Sequence, residues 1–200
     1  MGITIHYTGK LKHVNQIQPL TDELKDICIS LDWKYQLLDM EFGLGGLVIE
    51  ETEDTPQIHA KGIFFTPPES ETFYFLFTKN GYQVSSIKIL TQTEGEFDEE
   101  DHWLFSKTQF AGPDIHIAAC KLLKYLAGKY FEKFEVIDEG YYWDEEDEAK
   151  TRATFQQYTN AINAFANALK NHKDSKAKNP EGLIQQIEGI LKDLRKKGEI

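Results

Sequence analysis

Cysteine is nearly missing from this chain: Cys28 and Cys120 are its only two. That scarcity excludes a disulfide-stapled secreted scaffold, and the lack of a Cys-x-x-Cys pair excludes the common thiol-redox pattern. Both thiols fall on apolar stretches that read as helices, where they are expected to serve as small buried hydrophobes. Long apolar runs are missing too. No segment approaches the roughly 18–20 consecutive apolar residues of a membrane span. The opening Met-Gly-Ile-Thr-Ile-His-Tyr lacks the basic start and apolar run of a secretory signal. Its sixth position is His6, which leaves a myristoylation motif incomplete. The expectation is a soluble cytoplasmic protein with no membrane attachment.

Positive charge is also in short supply, with 22 Lys and Arg against 33 Asp and Glu and a net charge of −11. Binding to phosphate backbones needs basic surface, so nucleic acid is not an expected partner. The deficit is uneven. Residues 1–169 hold 14 basic and 28 acidic side chains, net −14, whereas residues 170–200 hold 8 and 5, net +3. Acid excess of this kind reads first as solubilising surface.

Motifs that carry chemistry are absent as well. There is no Gly-x-x-x-x-Gly-Lys-Ser/Thr loop, no Gly-x-Ser-x-Gly elbow and no His-Glu-x-x-His helix. Gly43-Leu44-Gly45-Gly46 joins two apparent strands, not a strand to a helix, so it is no dinucleotide fingerprint. The acidic run at 94–101 lacks the spacing of a calcium loop. His6, His13, His59, His102 and His172 show no ligand spacing. Neither a cofactor nor a metal is expected.

What is present is ample core material: 40% hydrophobic residues, of which aromatics make 12% of the chain. Ile3, Ile5 and Tyr7 alternate with Thr4, His6 and Thr8, the pattern of a half-buried strand. A helix follows, with Pro19 in its first turn and the stripe Leu20, Leu24, Ile27, Cys28, Leu31. Strands are expected from Trp33 to Met40, from the glycine-rich turn to about Glu51, and at 57–66, 71–78 and 82–90. Asn80-Gly81 supplies a hairpin turn between the last two. A further strand at 102–110, a helix from Pro113 to Phe131 and a strand at 134–138 read as a crossover unit. The expected buried face of that helix is Ile115, Ala118, Ala119, Leu122, Leu126 and Tyr130.

From Asp144 the pattern is helical, with the seam Phe155, Tyr158, Ile162, Phe165, Leu169. A polar linker at 173–179 leads to a last helix, capped by Asn179 and seamed by Leu183, Ile187, Ile190 and Leu194. The fold expected is therefore α+β: a mixed, largely antiparallel sheet of six to eight strands with packed helices at 1–143, and a C-terminal antiparallel helix pair at 144–200.

One constellation points to a site. If the crossover strands are parallel neighbours, their carboxyl ends gather Lys107, Gln109, Asp114, His116, Asp138 and Glu139, with Tyr141, Tyr142 and Trp143 as walls. Lys107 and the helix N-terminus would hold an anionic group. His116 would exchange a proton, oriented by Asp138 or Glu139. A metal held by His116, Asp138 and Glu139 is disfavoured, because adjacent strand residues point to opposite faces. Two functional expectations follow. The favoured one is a protein that acts by protein–protein contact without catalysis, through a partner or a homodimer built on the C-terminal helices. The alternative is a small hydrolase, transferase or anionic-ligand-binding domain using the 107–143 edge.

Overall fold

Alternation in the first ten residues does build a strand. In the computed structural model, which describes residues 2–47, 54–171 and 180–198, β1 (Thr4–Leu11) turns Ile5, Tyr7 and Leu11 inward. After a 3-10 turn at Val14–Gln16 comes α1 (Ile17–Leu31), whose stripe Leu20, Leu24, Cys28 is buried. β2 (Lys34–Gly43), β3 (Gln57–Thr66) and β4 (Phe73–Phe77) then form an antiparallel meander. The expected strand toward Glu51 lies outside the described residues, apart from a turn at 44–47.

The hairpin at Asn80-Gly81 forms. Gly81 N–H donates to Thr78 O at 2.9 Å, with Gly81 in the left-handed region at φ 82. The returning strand is shorter than its apolar pattern suggests. β5 is only Gln83–Val84, because Ser85 caps α2 (Ser86–Thr91) by accepting a hydrogen bond from Lys88 N–H. A serine cap stabilises a helix start and so ends the extended segment.

β6 (Leu104–Lys107), α3 (Gly112–Tyr130), β7 (Phe131–Asp138) and the short α4 (Tyr142–Glu145) follow. The crossover is as expected in direction but not in adjacency. β6 and β7 each pair antiparallel with β1, one on either side, so they run the same way with β1 between them. Among the described residues, seven strands form two antiparallel sheets, ordered β6-β1-β7 and β2-β3-β4-β5. The α+β class holds.

The two sheets share one aromatic core. Tyr7 stacks on Phe73 and Phe75 with ring centres 5.8 and 6.2 Å apart. Phe65 lies 5.4 Å from Phe73, and Trp33 5.8 Å from Phe65. A second, smaller core of Phe42, Leu44, Ala60, Leu76, Val84 and Ile89 lines the opposite face of the four-stranded sheet. A polar stitch joins the sheets inside the first core. Tyr74 N–H donates to Tyr7 Oη at 2.8 Å, Tyr7 Oη lies 3.4 Å from Ser106 Oγ, and Ser106 Oγ donates to Thr72 O at 2.7 Å.

The chain divides into two units, Met1–Glu148 and Ala149–Ile200. The second consists of α5 (Glu148–Asn171), save its first residue, and α6 (Pro180–Lys197). In α6, Ile190 and Leu194 are buried and Ile184 is exposed. The expected linker at 173–179, with its Asn179 cap, lies outside the described residues, as does the side chain of Leu183.

Candidate functional site

Four polar side chains from three segments meet inside the first unit. His116 and Cys120 lie one turn apart on α3, so they share a helix face. Asp138 is the last residue of β7, and Thr108 follows β6. His116 Nε2 stands 3.0 Å from Asp138 Oδ1, and its Nδ1 stands 2.7 Å from Thr108 Oγ1. Cys120 Sγ lies 3.8 Å from His116 Nε2 and donates to Asp138 Oδ2 at 3.7 Å. The chain itself completes the shell. Gly140 N–H donates to Asp138 Oδ1 at 2.7 Å and Trp143 N–H to Oδ2 at 2.9 Å. Gly140 is needed here, since a Cβ at that position would run into the His116 ring.

All four side chains are sealed: Thr108, His116 and Cys120 are 0% exposed and Asp138 5%. Burial pushes the Asp138 carboxyl up, but the hydrogen bonds from His116, Trp143 and Gly140 outweigh it and hold the group below its ordinary value. Burial and the neighbouring Asp138 carboxylate push the Cys120 thiol well above its ordinary value. A thiol held protonated is no nucleophile. As an all-protein network the cluster satisfies its own hydrogen bonds, and it pins α3 to the end of β7 and to the segment after β6. The same side chains also bring a nitrogen, an oxygen and a sulfur within 4.8 Å of one another.

Of the residues expected to converge, His116 and Asp138 meet. The others are placed differently. Lys107 N–H donates to Glu71 Oε2 at 3.0 Å, and the Lys107 ammonium lies 5.6 Å over the Phe110 ring. Gln109 shares the close surroundings of Gly2 with Lys107, and its Oε1 is buried without a hydrogen-bond partner. Asp114 is exposed in the first turn of α3. Glu139 Oε2 accepts Thr4 N–H at 2.9 Å, turned away from Asp138 as strand alternation requires. Tyr141 is half exposed with φ 65, whereas Tyr142 is buried with the Lys121 ammonium 5.7 Å over its ring. Trp143 packs on Phe134 at 6.1 Å under the Lys124 ammonium.

Thr108 and Cys120 are the members that sequence reasoning left out of the site. Cys120 carried a signal, its four-residue spacing from His116. Thr108 carried none. The stripe of α3 also differs from expectation. The buried residues are His116, Ile117, Ala119, Cys120, Leu123, Leu126 and Tyr130, with Ile115, Ala118 and Leu122 only partly covered. The polar cluster draws the helix round, because a buried carboxylate must be met by donors.

Two surface features of the first unit stand apart from this cluster. An open depression of about 660 Å³ lies between α1 and the end of α3, with Ile27 and Leu31 on its apolar side. Its rim residue Glu23 is engaged by Tyr125 at 2.6 Å, Lys129 at 2.7 Å and Tyr130 at 2.5 Å. The second feature is β2, at the edge of its sheet. No described helix is long and apolar enough to cross a membrane. No family model matches this chain, and neither a curated protein nor a solved structure matches it.

Proposed function

We propose that this chain works by binding another protein, without catalysis, and that the binding surface is the β2 edge of the four-stranded sheet. The observation that supports this is that β2, with no strand on its outer side among the described residues, exposes three large apolar side chains between its charged ones. Tyr35 and Leu37 stand opposite Phe65 and Ile63, on the face of the larger core, yet they are 37% and 48% exposed. Met40, on the other face, is 49% exposed. Among the described residues no strand pairs with the outer side of β2. Natural proteins usually blunt such edges, since free N–H and C=O groups invite another strand. An extended segment of a partner would gain both the ladder and the apolar contacts.

The polar cluster argues the same way. His116, Asp138 and Cys120 are closed off from any substrate, so the hydrolase or anion-binding alternative has less to recommend it. The C-terminal helices offer a further contact surface, with Ile162 and Ile184 exposed, for a partner or for a second copy of the chain. The setting is the cytoplasm, where two unpaired thiols stay reduced.

The test is a photo-crosslinking residue placed at Tyr35 in the full chain, expressed in its native cells. One discrete protein adduct is expected, absent when Leu37→Lys is added and absent when the crosslinker sits at Lys133 on the other sheet. No discrete adduct from Tyr35, or the same adducts from Lys133, would overturn the proposal.

A further inference from the structure

We infer that His116, Cys120 and Asp138 form a structural site for one thiophilic divalent cation of zinc's size. Zinc bonds sulfur at about 2.3 Å, imidazole nitrogen at about 2.0–2.1 Å and carboxylate oxygen at about 2.0–2.2 Å. At tetrahedral angles those lengths separate neighbouring ligand atoms by about 3.3–3.6 Å. Here His116 Nε2 stands 3.0 Å from Asp138 Oδ1 and 3.8 Å from Cys120 Sγ, Cys120 Sγ stands 3.7 Å from the other carboxylate oxygen, Oδ2, and one donor atom from each residue lies within 4.8 Å of the others. A turn of the Asp138 carboxylate, or ligation through both of its oxygens, would bring the three side chains onto one ion.

The surroundings favour a ligand set over a chance meeting of polar groups. A thiol is a weak hydrogen-bond donor, so as a network member Cys120 contributes little. As a thiolate it would be the strongest ligand of the three. Ligating groups are commonly oriented by outer partners, and each of the other two has them. Gly140 and Trp143 N–H groups fix both Asp138 oxygens, and Thr108 Oγ1 meets His116 Nδ1.

Thr108 is also placed to change roles, with Ile3 O 3.5 Å from its hydroxyl oxygen. With a neutral imidazole protonated on Nε2, the Thr108 hydroxyl donates to Nδ1 and Nε2–H donates to Asp138. With an ion bound, Nδ1–H donates to Thr108 Oγ1, the hydroxyl turns to Ile3 O, and Nε2 is free to ligate. The proton balance is then simple. The imidazole stays neutral, the Cys120 S–H bond breaks as the S–metal bond forms, and one proton leaves to solvent. Thiolate, carboxylate and dication sum to zero charge, which suits a sealed site. Because the three ligands are sealed from solvent, the ion enters as the chain folds.

The test refolds the full chain from denaturant with Co²⁺, removes loose metal on a chelating resin, and reads bound cobalt and the sulfur-to-cobalt charge-transfer band. One cobalt per chain with a thiolate band is expected, together with a higher melting temperature than the metal-free chain. Cys28→Ala should keep the band and Cys120→Ala should lose it. Cobalt not retained by the wild-type chain, or a band that survives Cys120→Ala, overturns the inference. Should Cys120→Ala fail to fold, Cys28→Ala decides alone: Cys120 is then the only thiol, so a band supports the site and its absence overturns it.

Discussion

Among the described residues, His102 carries a clear pH signature. It is 1% exposed, and its Nε2 accepts a hydrogen bond from Ser85 N–H at 3.2 Å. Burial first, and the Lys88 ammonium second, lower its pKa from 6.5 to about 4. The sign follows from which state takes the proton. Below pH 6.5 the unfolded chain protonates this histidine while the folded chain does not, down to about pH 4. Stability is therefore full above pH 6.5 and is lost as the pH falls toward 4, by about 3 kcal/mol across the window. His102→Gln keeps an acceptor for Ser85 and has no proton to take. Urea midpoints measured from pH 7 to 4 should flatten in that variant. Asp138 works at lower pH: with its folded value depressed, its contribution is present above the ordinary carboxylate range and is lost as the pH falls from that range through the lower folded value.

Two glycines at the same scale should answer oppositely. Gly140→Ala drives a methyl into the His116 ring and disturbs a buried charge network, so a loss of about 3 kcal/mol is expected. Gly128, near the end of α3, has nothing within 4 Å of a built Cβ. Gly128→Ala should raise stability by about 0.5–1 kcal/mol, through helix propensity alone. Thermal or urea unfolding of both variants checks the pair, and a stable Gly140→Ala would remove the clamp from the account.

At the scale of elements, the Tyr7 phenol is one of several polar joins between the two sheets, beside the Ser106–Thr72 and Lys107–Glu71 bonds. Tyr7→Phe leaves the aromatic stack in place and takes the acceptor from Tyr74 N–H on β4 and a partner from Ser106 on β6. An orphaned buried donor costs about 1–3 kcal/mol. That loss should appear in urea unfolding with an unchanged slope, since the buried area stays the same. Elements were also where sequence patterns read best. β3 occupies the expected residues 57–66, and α3 begins at its glycine–proline signal. They read worst where local chemistry competes with pattern. Residues 82–90 read as a returning strand, yet Ser85 is a helix cap, and the cap prevails.

For the whole molecule, the apolar alternations, the helix stripes, the Asn80-Gly81 turn and the α+β class were legible in the sequence, because each depends on residues close together in the chain. Which strand lies beside which was not legible, because pairing is set by contacts between distant residues. β1 sits between β6 and β7, so Lys107 and Asp138 flank it on opposite sides, at Thr4 and Ile5, instead of sharing an edge. His116 and Asp138 could be named in advance. That they are sealed with Thr108 and Cys120 was decided only when α3 packed over the sheet. Burial belongs to packing between layers, and no spacing along the chain encodes it.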